Sequence, residues 1–129
     1  MKVEPSAQDL LDIARAALID EIVPSLPESR RYAALMAANA LAIAGRDLAA
    51  PATDTAEIAR IAALLEDWTP AGNDAASLAQ GSARLAARIR AGAFDTGESR
   101  SRLLAHLRET THARLAVSNP KALPRKAKD

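Results

Sequence analysis

The sequence predicts an all-α protein, a single bundle of about five helices, and three observations carry that prediction. Apolar residues recur near the 3.6-residue helical period in five successive segments, and no segment alternates as a strand would. Alanine fills 32 of the 129 positions and leucine 16, whereas Tyr32, Trp68 and Phe94 are the only aromatic residues. Such a composition favours closely approaching helices over a sheet built from β-branched and aromatic side chains. The third observation is the run from Tyr32 to Ala44, YAALMAANALAIA, in which Asn39 is the one polar residue and seven positions are alanine. A helix apolar on every side has no face for water, so this segment is expected to be the buried centre of the bundle.

Taken in order, Ser6-Ala7-Gln8-Asp9 opens the first helix as a capping box. Leu10, Ile13, Ala14, Ala17, Leu18 and Ile22 follow the helical period, and Pro24 and Pro27 end the helix because proline lacks an amide hydrogen. Ser25 and Glu28 repeat the capping spacing ahead of the second, central helix, about residues 28–49, which stops before Pro51. Asp54 and Glu57 start a third helix with Ile58, Ile61, Ala62 and Leu65 on one face, ending near Trp68. After the loop Thr69-Pro70-Ala71-Gly72-Asn73-Asp74, a fourth helix runs from about Ala75 to Ala91 with Leu78, Leu85 and Ile89 apolar. Gly81 in its middle either weakens it or admits a close crossing, and Gly92 is its stop signal. The fifth helix, about Glu98 to Val117, carries Leu103, Leu104, Leu107 and Leu115 as its apolar stripe. Residues 1–119 thus form the helical domain, and 120–129 are expected to be a basic, disordered tail.

Composition also excludes chemistry. Without cysteine there is no disulfide and no thiolate metal site. No G-x-S-x-G elbow and no glycine-rich phosphate loop is present, so no catalytic residue is assigned and no cofactor is expected. Glu109-Thr110-Thr111-His112 has the E-x-x-H spacing of di-iron bundles, but one copy does not make a site and no metal is expected. The opening MKVEPSAQ lacks a signal-peptide pattern, and the longest apolar run falls short of the roughly 20 residues needed to cross a bilayer. A cytoplasmic protein without membrane association is therefore expected.

Charge is unevenly distributed. Residues 1–74 hold 6 Lys/Arg against 12 Asp/Glu, giving −6, and residues 75–129 hold 11 against 4, giving +7. The basic half offers Arg84, Arg88, Arg100, Arg102 and Arg108 to an acidic surface, either a partner protein or the acidic half of a second copy in a homo-oligomer. Nucleic acid is a weaker alternative, because the segment between the fourth and fifth helices lacks helix-turn-helix spacing and aromatic residues are few. On the second helix, Tyr32, Met36, Asn39, Ile43 and Arg46 share one stripe. A buried Asn39 would fix helix pairing; alternatively Tyr32, Asn39 and Arg46, joined by Arg88 and Arg90 as anion contacts, would line a site for an acyl-CoA or phosphorylated ligand.

The stretches RRYAALMAANALAIAGRDL (Arg30–Leu48), ARLAARIRAGAFD (Ala83–Asp95) and LLAHLRETTHARLAVSNPKAL (Leu103–Leu123) resemble an uncharacterised bacterial family of small helical domains. Genes of that family tend to lie beside those for aminoglycoside-phosphotransferase-like kinases and acyl-CoA dehydrogenases. The resemblance transfers no catalytic residue. It implies a partner or accessory of enzymes that activate or oxidise acyl thioesters. Joined to the absence of catalytic signatures and the charge asymmetry, the expectation is a non-catalytic accessory subunit of a phosphotransferase-like kinase or an acyl-CoA enzyme such as an acyl-CoA dehydrogenase.

Overall fold

The computed structural model describes residues 4–50 and 53–124. Its five α-helices are α1 (Ala7–Ala17), α2 (Glu28–Ala49), α3 (Thr53–Leu64), α4 (Ala75–Arg90) and α5 (Gly97–Ser118), and no strand occurs among the described residues. The all-α class is thus as the sequence predicts. The chain's contacts gather into two compact units, Met1–Ala50 and Pro51–Asp129.

In the first unit, the capping box is present. Ser6 Oγ accepts from the Asp9 amide at 3.2 Å, and the Ser6 amide donates to Asp9 Oδ2 at 2.9 Å. Hydrogen bonds from the Ser6 side chain and then its backbone hold the Asp9 carboxyl below its usual range. α1 does not stop at Pro24 directly. It passes into a π turn over Leu18–Ile22 and a 3-10 turn over Val23–Ser25. A proline at position 24 cannot donate to the carbonyl four residues back and its ring crowds that carbonyl, so the widened turn shifts the register just ahead of it. Ser25 does not cap α2 as its spacing suggests. Its Oγ donates backwards to the Ile22 carbonyl at 2.8 Å, closing the preceding helix, and Pro27 stands at the start of α2 with no side-chain cap.

α2 has the predicted bounds but not the predicted burial. It packs on α1 through a narrow face where Ala38 and Gly45 are buried, while Tyr32 is 75% exposed and Leu35, Met36 and Leu48 are about half exposed. α1 likewise turns Leu10 and Ile13 outward and has no buried residue. Two helices can cover one face of each other and no more, so an all-round apolar helix in such a pair keeps its other faces open.

The buried helix is α3. Ile58, Ile61 and Leu65 are 1% exposed, and α3 packs against both α4 and α5. With Trp68, Leu85, Phe94 and Leu103 they form one hydrophobic core. α3 ends at Leu64, short of the expected Trp68, and a turn closed by the Trp68 amide on the Leu65 carbonyl at 3.1 Å swings the indole onto α4. There Nε1 donates to Gln80 Oε1 at 3.2 Å, and the ring lies over Gly81. A Cβ at Gly81 would stand 2.5 Å from Trp68 Cη2 and 3.1 Å from Ile61 Cγ2, so the glycine serves a close crossing. Asp74 caps α4 by accepting from the Ser77 amide at 2.8 Å, which holds its carboxyl below the usual range. Gly92, at φ +84, ends the helix as a Schellman motif: its amide bonds the Ile89 carbonyl and the Ala93 amide bonds the Arg88 carbonyl.

After α5 the chain forms a 3-10 turn at Pro120–Ala122, so the first part of the expected disordered tail is folded; residues 125–129 lie outside the described ones. No single described helix is long and apolar enough to cross a membrane.

Two stability measurements test this packing. Alanine normally gains about 1 kcal/mol over glycine inside a helix, so a lower denaturation midpoint for Gly81→Ala, with altered Trp68 fluorescence, is the expected sign of the clash. A higher midpoint would mean that the indole is not seated there. Ala38→Leu is expected to cost roughly 1–3 kcal/mol by overpacking the α1–α2 contact, and an unchanged midpoint would contradict that contact.

Candidate functional site

The polar chemistry of the second unit converges between α3 and α5. Of the leucine stripe that periodicity suggests on α5, Leu103 faces the core, while Leu104 and Leu107 do not. Leu103, His106 and Thr110 are the residues buried on α5, at 6%, 5% and 8% exposure, whereas Leu104 and Leu107 remain about 40% exposed. Positions 103, 106 and 110 fall on one helical stripe, and the leucines at 104, 107 and 115 fall on the neighbouring one. That second stripe lines a groove of about 340 Å³ whose other wall is Ala122, Leu123 and Pro124, the chain's own segment folding back.

Opposite His106 and Thr110, α3 places Glu57 and Arg60. Glu57 is 8% exposed, and Arg114 from α5 reaches its Oε1 at 3.4 Å. Arg60 Nε lies 3.1 Å from Glu109 Oε2. Further along, Arg102 donates to the Ala63 carbonyl at 2.7 Å, satisfying one of the open carbonyls at the end of α3. Two grooves flank the Arg60–Glu109 pair. One, about 280 Å³, is bordered by Glu57 and His112; the other, about 220 Å³, by Arg102 and His106.

Three atoms in this seam are sealed from solvent without a hydrogen-bond partner, Arg60 Nε, His106 Nδ1 and Thr110 Oγ1; Arg60 Nε meets Glu109 as an ion pair only. Burial first, and then the positive charge of Arg60, push the His106 pKa below its ordinary value of 6.5, with Arg114 adding to this and Glu57 and Glu109 opposing it. An imidazole kept neutral here can use one nitrogen as donor and the other as acceptor. The sequence draws attention to His106 only through its spacing from His112; what marks it is its place opposite α3, which pattern does not reveal.

The sequence-derived candidates are scattered by comparison. Tyr32 and Asn39 are exposed on α2, so Asn39 does not fix helix pairing from a buried position within the unit. Arg46 lines a groove of about 360 Å³ between α1 and α2, together with Gln8, Asp12 and Arg15. Arg88 and Arg90 stand on α4 in the other unit, and Arg88 pairs with Asp67 at 3.3 Å. Arg100 donates to the Asp95 carbonyl at 3.3 Å, Arg102 to Ala63, and Arg84 and Arg108 are exposed. In the E-x-x-H spacing, Glu109 is engaged by Arg60 and His112 is exposed; no group of three or more His, Asp or Glu side chains among the described residues is placed to hold a metal.

Fold and site together define an all-α protein with open apolar helix faces and one buried polar seam. Residues 24–122 match DUF6285, a domain of unknown function, and the chain belongs to that family. The match begins at Pro24, after the π turn, and runs through the turn that follows α5. No curated protein and no solved structure matches the chain.

The seam makes a pH prediction. The folded state binds the His106 proton less readily than the unfolded chain does, so stability from this group is whole above 6.5 and is lost as the pH falls through the lower folded value. The urea midpoint should therefore drop as the pH is lowered below 6.5, and His106→Gln should flatten that dependence. Parallel curves for the two proteins would contradict the buried neutral imidazole.

Proposed function

We propose that this protein is a non-catalytic interaction subunit that presents the outer stripe of α2 to a protein partner. The observation that carries the reading is the placement of large apolar side chains on that stripe. Tyr32, Leu35, Met36 and Asn39 follow the i, i+3, i+4, i+7 spacing, and all four are exposed. Isolated exposed apolar residues are ordinary, but a contiguous row of them is a docking feature. Covering each half-exposed side chain is worth on the order of 1 kcal/mol, so the row can anchor an interface. Asn39 in its middle suits a register-fixing role across such an interface, where it would find a hydrogen-bond partner.

The family resemblance supports a phosphotransferase-like kinase or an acyl-CoA dehydrogenase as the partner. A second copy of the chain would meet the same stripe in a homo-oligomer. The exposed Arg84 and Arg108 offer additional contacts to an acidic partner surface. A second reading, a carrier of an acyl-CoA or phosphorylated ligand, is favoured by the groove that holds Arg15 and Arg46 together, beside a Gln8 Oε1 that is sealed without a partner.

The discriminating experiment is titration of the full chain with the purified kinase-like and acyl-CoA dehydrogenase neighbours, alongside its own association by light scattering. Met36→Glu should weaken assembly by about tenfold or more while helicity stays intact, because a carboxylate buried at an interface centre is left without a partner. Undiminished assembly by this variant would remove α2 from the interface. If acyl-CoA or a phosphorylated compound bound instead, with loss on Arg46→Gln, the carrier reading would replace it.

A further inference from the structure

The groove bordered by Arg60, Arg102 and His106 has donors that the fold does not use. Arg60 Nε lies 3.1 Å from Glu109 Oε2 as an ion pair without a hydrogen bond, and Arg102 gives one Nη2 hydrogen bond to Ala63. A guanidinium carries five N–H donors in a planar fork, so both side chains keep further donors. His106 adds a third. Its Nδ1 is sealed without a partner, and the residue lines the groove. A neutral imidazole with Nδ1 unpartnered can carry its proton on Nε2 and donate it to a bound anion.

The one carboxylate on this groove, Glu109, is already beside Arg60. Unused donors therefore outnumber acceptors, and they surround a space whose remaining wall is aliphatic, from Ala63, Leu64 and Ala105. The volume of about 220 Å³ equals on the order of seven water molecules, enough for a phosphate group or a short carboxylic acid.

We propose that this groove between α3 and α5 is a binding site for a small oxyanion, a carboxylate or phosphate group held by Arg60, Arg102 and His106. The two arginines supply charge-assisted hydrogen bonds to the anion's oxygens, and the imidazole donates a third from the floor of the site. Binding is independent of any docking on α2, since every residue it uses lies on α3 or α5. Lowering the pH strengthens it: protonating His106, which feels Arg60 and Arg114 against Glu57 and Glu109, adds positive charge to the groove.

The test uses the full chain and follows the His106 and His112 imidazole signals by NMR. Sodium phosphate and sodium acetate are titrated separately, with sodium chloride at matched ionic strength as reference. A saturable shift of His106, with His112 little changed, is expected. Saturation by both anions assigns a general oxyanion site, by phosphate alone a phosphate site, and by acetate alone a carboxylate site. Arg102→Gln should weaken the affinity about tenfold, as loss of a charge-assisted bond does. Arg100→Gln, with the same charge change outside the groove, should leave it within about twofold. In the unmodified protein, which needs no folded variant, the bound anion should also raise the His106 pKa. An equal shift with chloride, no saturation with either anion, or equal weakening by the two variants would overturn the site.

Discussion

The seating of Trp68 over Gly81 is the constraint on which the second unit depends. The indole occupies space that any side chain at position 81 would take, and it is anchored by its own N–H to Gln80. That contact draws the segment after α3 onto α4 and lets Ile61 approach the same glycine. Once α3 is held against α4, its far side is free to pack on α5, and Ile58, Ile61 and Leu65 are enclosed. The core itself is built from large side chains, including Trp68 and Phe94, and the glycine at 81 lets α4 approach them closely.

The contrast between α2 and α3 shows what apolar content does and does not determine. α2 holds the longest apolar run of the sequence, yet α3 is the buried helix. Burial needs partners on more than one side, and α3 has two helices against it, whereas α2 packs on α1 and the short turns that follow α1. Alanine adds to the difference, because a helix rich in alanine loses little by leaving many of its positions in water. The larger residues at 32, 35 and 36 are another matter, and their exposure is the physical basis for assigning the protein an interaction role.

Much of the fold is legible in local sequence. The Ser6–Asp9 box, the Asp74 region as the start of α4, the Gly92 stop and the Ile58-Ile61-Leu65 face each follow from chemistry within one turn of helix. Features set by long-range packing are not legible. The leucines of α5 mark a strong stripe, but only Leu103 among them joins His106 and Thr110 on the buried face. Glu57 reads as a helix-start acid and is instead a buried partner of Arg114, fifty-seven positions away. Ser25 has the spacing of a cap, and Pro24 redirects it to the carbonyls behind. The candidate site was hidden for the same reason: its members come from two helices and share no motif.

The central claim is that stability resides in the α3-centred core while α2 leaves an apolar stripe exposed, as the proposed interaction role requires. Amide hydrogen exchange on the dilute full chain tests it most directly. The account predicts the slowest exchange in α3 and the facing part of α4 around Gly81, with faster exchange through α2 that slows when a partner or higher protein concentration covers the stripe. Exchange in α2 as slow as in α3, in a dilute monomer and unchanged by concentration or partner, would contradict it.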